Sequence, residues 1–280
     1  GGVATNVQII SDQMLTATTA LSLPGTQVFT PIDVELSNAN GTGILTKSFR
    51  QTAHGLLAMD RNQMAMVWID IATGNTIRLA RFQRQVGGCA LSPTGQLFGY
   101  AIDPNDNRAA LAILDPLAGD VMQIGKLLDA ANVAHTASSM TFVSNTLFAV
   151  DTATNRGTPS TKLTTINTTN GVVTVVAGGT GTVLPKGNSI FAKDATSVFF
   201  VKMANGTLDT IDTTTGVLTA GPAMTGHVAK AHGLVTVGGT MFMADVQGAI
   251  YTVNPSTGAT TAFANVGGRV NALCETPPSF

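Results

Sequence analysis

Apolar residues recur along this chain in short runs separated by polar turns, and no run shows the 3.6-residue period of a long amphipathic helix. One family of runs reads Leu97-Phe98-Gly99-Tyr100-Ala101-Ile102-Asp103, Leu147-Phe148-Ala149-Val150-Asp151, Val198-Phe199-Phe200-Val201-Lys202 and Met241-Phe242-Met243-Ala244-Asp245. Each is the length of a strand, and most end in an aspartate. A second pattern follows each run: an apolar residue, Asp or Asn, three residues, then Gly. It reads Ile69-Asp70 to Gly74, Leu114-Asp115 to Gly119, Ile166-Asn167 to Gly171, Ile211-Asp212 to Gly216 and Val253-Asn254 to Gly258. Asp or Asn closes a turn onto its own backbone, and Gly supplies the positive φ that completes a tight hairpin. Successive Asp/Asn positions lie 45, 52, 45 and 42 residues apart. Four short strands per repeat of this length define the blade of a β-propeller.

The pattern predicts an all-β propeller occupying residues 1–280 as a single domain, with six blades of four antiparallel strands and seven as the alternative. Five repeats carry the turn between residues 52 and 266. The stretch Gly268-Arg269-Val270-Asn271-Ala272-Leu273-Cys274 resembles the start of another repeat, Val86-Gly87-Gly88-Cys89-Ala90-Leu91. Its remaining strands are expected from the N-terminal 51 residues, where Ser37-Asn38-Ala39-Asn40-Gly41 is a degenerate copy of the turn. Strands from the two termini sharing one blade would remove the exposed edges. Residues 275–280, with Pro277 and Pro278, are expected to begin a proline-rich linker. Gly1 is not an initiator methionine, so the numbering is expected to begin after processing.

The repeat resembles those of secreted and surface β-propellers with I-D-x-x-T-G blade turns, a broad group that includes the quinoprotein-like propellers. That resemblance covers residues 52–266 and implies the fold. It carries no catalytic residue onto this chain, because the residues it fixes are turn formers.

Composition narrows the classes of function. Charged residues make up 11% of the chain, the net charge is −1, and 44% of residues are hydrophobic. A disordered chain needs more charge and fewer apolar residues, and a nucleic-acid binder needs a basic excess. No apolar run approaches the roughly 18 residues that span a bilayer as a helix. Cys89 and Cys274 permit one disulfide, the alternative being two buried thiols. As members of matching first-strand segments in neighbouring blades, they are expected to be bonded, which implies an oxidising compartment.

Three of the four histidines stand in similar steps: Ala53-His54-Gly55, Ala134-His135-Thr136 and Ala231-His232-Gly233. In the predicted phase each opens the innermost strand of alternate blades. Their imidazoles would converge about 120° apart on the axis of a six-bladed ring. Three imidazoles with an open position suit Zn²⁺ or another divalent metal. Peptidylglycine amidating lyases use such an axial site on a six-bladed propeller. The likeness to them is one of fold, since the flanking residues here differ. His227 lies outside the pattern. The aspartates Asp103, Asp151 and Asp245 read as turn caps, too far apart to act together. Sequons at Asn40, Asn167 and Asn205 permit N-glycosylation. No nucleophile elbow, P-loop, H-E-x-x-H or dinucleotide fingerprint occurs.

These readings favour a secreted or cell-surface propeller that serves as a structural or interaction module. Its partners would be other proteins, or copies of itself, in an extracellular assembly. The alternative is a metal-dependent lyase or hydrolase working through His54, His135 and His232.

Overall fold

The computed structural model describes residues 55–151, 162–176, 189–201, 206–226 and 230–277. It also describes, as backbone alone, residues 187–188 and 202 and the strands within 4–50 and 154–159. The chain divides into two compact units, residues 1–53 and residues 54–279. The first unit holds two antiparallel hairpins. One joins β1 (Ala4–Ser11) to β2 (Met14–Thr19), and the other joins β3 (Pro31–Asn38) to β4 (Gly41–Arg50). Asn38 and Gly41 of the degenerate turn pair with each other in that second hairpin.

The second unit is built from four-stranded antiparallel sheets. Strands β5 (Gly55–Asp60), β6 (Ala65–Asp70) and β7 (Thr76–Arg81) are the outer three strands of the first. The second sheet runs outward through β8 (Val86–Leu91), β9 (Leu97–Ile102), β10 (Ala109–Asp115) and β11 (Asp120–Lys126). In the third, β12 (Ser139–Val143) and β13 (Thr146–Asp151) precede a small inserted hairpin, β14 (Thr154–Asn155) and β15 (Thr158–Pro159). The sheet then resumes with β16 (Lys162–Ile166) and β17 (Val173–Val175). The fourth comprises β18 (Gly187–Ala192), β19 (Ser197–Lys202), β20 (Leu208–Asp212) and β21 (Leu218–Thr219). The fifth comprises β22 (Ala231–Val237), β23 (Thr240–Asp245), β24 (Ala249–Val253) and β25 (Thr260–Asn265). The last strand, β26 (Val270–Glu275), pairs with β5 and becomes the innermost strand of the first sheet.

The innermost strands β8, β12, β18, β22 and β26 adjoin in that order, and β26 returns to β8. The ring therefore closes on five blades, where the sequence predicts six or seven. Strands from early and late in the chain do share a blade. The early strands come from residues 55–81, however, and residues 1–53 form a unit of their own. Of residues 275–280, the structure describes the first three. Glu275 lies in β26, Thr276 and Pro277 are buried, and the Gly55 amide donates to Thr276 Oγ1 at 3.2 Å.

Burial explains the strand sequences. The inner strands are covered on both faces, so β8 reads Val-Gly-Gly-Cys-Ala-Leu, whereas the outer β7 and β25 alternate between half-buried and exposed positions. The core lies between blades. Leu56, Val67 and Ile69 of the first blade pack on Val235, Phe242 and Ile250 of the fifth. Phe98 and Leu111 of the second pack on Met140 and Leu147 of the third.

All five predicted turns join a third strand to a fourth. Their glycines have φ between 69° and 79°. In the second blade Gly119 donates its amide to the Asp115 carbonyl at 2.8 Å. A Cβ at Gly119 would lie 2.5 Å from the Arg81 carbonyl oxygen on β7 of the preceding blade. The glycine thus serves the turn and the blade interface together. Gly119→Ala is expected to cost about 1–2 kcal/mol for the left-handed backbone, and more for displacing β7. Gly238 also has positive φ, but nothing lies within 4 Å of its Cβ position, so Gly238→Ala carries the backbone cost alone. Urea unfolding of the two variants measures the difference, and equal midpoints would show that the turn does not bear on its neighbour.

Candidate functional site at the two ends of the ring

The strand directions define two faces. The upper face holds the starts of the innermost strands, the ends of the second strands and the connections between blades. The lower face holds the hairpins between first and second strands and between third and fourth strands, including the five Asp/Asn–Gly turns.

At the upper face a buried aspartate stands at the end of four second strands, Asp60, Asp151 and Asp245 as the last residue and Asp103 just beyond it. A buried carboxylate must find donors. Asp60 accepts from the amides of Asn62 and Gln63 at 3.0 and 3.3 Å and from Arg78 at 3.0 Å. Asp103 accepts from the Asn105 amide at 2.9 Å. This bond chiefly holds its carboxyl below the ordinary value, with Gln123 and Lys126 adding to the effect. Asp245 accepts from the amides of Gln247 and Ala249 and from the Tyr251 hydroxyl at 3.2 Å. The turn-capping expectation describes their bonds, while their burial places them beneath the upper face. Asp60 belongs to the same series and is missing from the predicted set, although Leu57-Ala58-Met59-Asp60 has the same form as the other strand ends.

Asp151 is held differently, because the inserted hairpin follows its strand. It accepts from the Thr136 amide and hydroxyl at 3.0 and 2.9 Å, and its second oxygen lies 2.7 Å from His135 Nδ1. On the other side of the imidazole, Nε2 is 3.4 Å from Asp129 Oδ2, an ion-pair distance without hydrogen-bond alignment. The Asp129 carboxyl is drawn below its ordinary value, first by the Val133 amide and further by His135. His135 is buried, and the two carboxylates flank its ring as a local brace on the connection into β12.

His232 stands in a different field. It is half-buried at a bulge near the start of β22. Burial is the main reason that its imidazole titrates below the ordinary value. The positive charges of Arg269, Lys230 and Arg61 push the same way, and Asp245 opposes them. His54 lies outside the described residues. Gly55, which follows it, begins β5 at the lower face, where it meets Thr276, while Asp60 ends β5 at the upper face. At about 3.3 Å per residue, that strand separates the two faces. The strand that Gly55 begins is a second strand of its blade and not an innermost one. Among the described residues no group of three or more His, Cys, Asp and Glu is placed to hold a metal ion.

Near the lower face, a cavity of about 260 Å³ opens among the innermost strands, lined in part by Met140, Phe142, Phe191 and Glu275. It is smaller than the range of about 300–1,000 Å³ usual for ligand pockets. Cys89 and Cys274 form a disulfide in its wall, with Cα atoms 5.8 Å apart. The bond joins β8 to β26, which are neighbouring innermost strands at the point where the ring closes. Asn167 is exposed at the head of the β16–β17 hairpin, and its side-chain oxygen accepts from the Thr169 amide and hydroxyl. Asn40 and Asn205 lie outside the described residues, as does His227.

These features define a five-bladed β-propeller protein with a disulfide-fastened ring. No family model matches the chain, and no curated protein matches it. Among solved structures, a chain from a nidogen/laminin complex superposes with a TM-score of 0.54 at 8% sequence identity. That match covers 81% of this chain and 100% of the other, and it shows the fold alone. A PQQ-bound aldose sugar dehydrogenase from Streptomyces coelicolor is similar at a TM-score of 0.43 and 14% identity, over 79% of this chain and 81% of that one.

Proposed function

We propose that this propeller is an extracellular or surface module that docks into a larger protein assembly, other copies of the chain included. The observation that carries the reading is the Cys89–Cys274 disulfide at the ring closure. Bonds of this kind form and persist in oxidising compartments. The fold itself supports a protein-interaction module, because its hairpins and outer strands present extended surfaces. Weak charge, 11% of residues with a net of −1, leaves little electrostatic repulsion between neighbouring copies. The outer strands add exposed apolar side chains, Met122 on β11 and Val175 on β17. In such a compartment Asn167 is also available to carry a glycan.

Sedimentation velocity over a wide concentration range tests the reading. Expected is reversible association that weakens when Met122→Lys and Val175→Lys are combined. Non-reducing mass spectrometry of the native protein should find the bond intact. A native protein with both thiols reduced would refute the location, and one that stays monomeric with no partner cross-linked at its outer strands would refute the assembly role.

A further inference from the structure

The lower face also carries a groove of about 910 Å³ between the fourth and fifth blades, which shares Phe191 and Glu275 with the axial cavity. Its volume falls within the range of about 300–1,000 Å³ usual for ligand pockets. Strand alternation builds one wall. Phe191 stands near the end of β18 and Lys193 two positions further on, so the two share a face. Phe199 of β19 stands opposite Phe191 in the ladder, and the Lys193 ammonium lies over the Phe199 ring, 5.8 Å from its centroid. Both rings pack on the cluster that contains Met241 and Val253 of the fifth blade, and both remain half-buried. The opposite rim is the β22–β23 hairpin, where Gly238 and Gly239 have positive φ and nothing lies within 4 Å of either Cβ position.

A seam between blades needs no ligand, but the chemistry of this one has a direction. Phe191 and Phe199 form an apolar floor that gains free energy when it is covered. Lys193 is exposed, and among the described residues no carboxylate pairs with it. The adjacent Asp194 is engaged by the hydroxyls of Thr196 and Ser197. Glu275 lines the axial end, so an acidic group entering the groove is repelled there and drawn to Lys193. The bare hairpin lets a second backbone approach closely, because Gly238 and Gly239 carry no side chains.

We propose that this groove takes an extended segment of a partner protein in which a large apolar residue is followed by an aspartate or glutamate. The apolar side chain covers Phe191 and Phe199, the carboxylate pairs with Lys193, and the segment's backbone passes Gly238 and Gly239. The assignment rests on the reading of the protein as an interaction module, and it adds the surface and the partner's chemistry. The ion pair is exposed and supplies selectivity, while the apolar contact supplies most of the affinity.

A blocked tetrapeptide with leucine followed by aspartate at its centre, titrated into the full chain by NMR and calorimetry, tests the groove. The amides of Thr236, Gly239 and Thr240 should shift. Lys193→Gln should weaken binding about three- to fivefold. Asparagine in place of the peptide's aspartate should cost the parent the same factor and cost Lys193→Gln nothing, which isolates the pair. Serine in place of the leucine should weaken binding at least about tenfold. Gly239→Asn, which tolerates the left-handed turn, puts a side chain into the groove and should weaken the aspartate and asparagine peptides alike. Lys162→Gln, which removes an exposed cation on β16, should leave binding unchanged. Unmoved groove amides, an equal loss in Lys162→Gln, or a peptide aspartate worth as much without Lys193 as with it would each overturn the proposal. Decanoate binding as tightly as the peptide would assign the groove to a fatty acid and also overturn it. Docking through the outer strands is read separately by sedimentation and cross-linking. A chain that associates there while the peptide shifts no groove amide overturns the groove alone. A chain that fails there yet binds the peptide overturns outer-strand docking and leaves the groove standing. Thermal melts confirm that each variant is folded.

Discussion

Deleting residues 268–280 should abolish the cooperative thermal transition and drive the protein into aggregates. Those residues include β26, which sits between β22 and β8 and pairs along its length with β5. Its Val270 and Leu273 are 0% and 4% exposed, and burying two such side chains contributes about 3–6 kcal/mol. A domain is stable by only about 5–15 kcal/mol in total. The deletion also strips the ladder partner from β5, a strand whose six residues are all buried. An unpaired apolar edge of that length is a template for association with other chains. Light scattering coupled to size exclusion, together with a circular dichroism melt, provides the measurement. A truncated chain that remains monomeric and melts at the original temperature would place the closure elsewhere.

Local chemistry made the turns legible. Asp70 and Gly74, or Asp115 and Gly119, declare a hairpin within a few residues, and the same lettering recurs wherever a third strand meets a fourth. The matching of Val86–Leu91 with Val270–Glu275 was legible for the same reason, since both are crowded inner strands built from small and apolar residues. The phase of the first blade was not. Leu56-Leu57-Ala58-Met59 and Gly87-Gly88-Cys89-Ala90 are each buried on both faces, so an inner strand and a second strand look alike in sequence. The strand that settles the question pairs Cys274 with Leu57, across most of the chain. That ambiguity made β5 look like an innermost strand, and the blade count rose with it. The hairpins of residues 1–53 have the alternation of blade strands, and nothing local marks them as a separate unit.

The groove between the fourth and fifth blades was illegible for a different reason. Phe191 and Lys193 stand at the end of an inner strand, Phe199 lies in a second strand, and Gly238 and Gly239 make a hairpin of the next blade. No spacing or motif links them. Only the packing of one blade on the next brings them together. His135 and His232 show the converse: equal lettering, Ala-His-small, yields one ring braced by two aspartates and another in a positive field.

The disulfide should account for a large share of the protein's stability, most of it exerted on the unfolded chain. Cys89 and Cys274 are 185 residues apart, so the bond removes the freedom of a very long loop. Loop-closure entropy puts its contribution at about 5 kcal/mol. Replacing both residues, Cys89→Ala with Cys274→Ala, avoids leaving a reactive thiol and should lower the urea midpoint sharply. The folded ring should survive in outline, because β26 still pairs with β5 and still packs between β22 and β8. Both cysteines are 3% exposed, so a small thiol reductant must wait for the inner strands to part. Reduction should therefore be slow in native buffer and quick in mild urea, with a rate that follows opening of the first blade. Midpoints that coincide for the parent and the double variant would refute the stapling role. Rapid reduction in native buffer would show that β8 and β26 separate without unfolding, and the closure would then be a gate and not a lock.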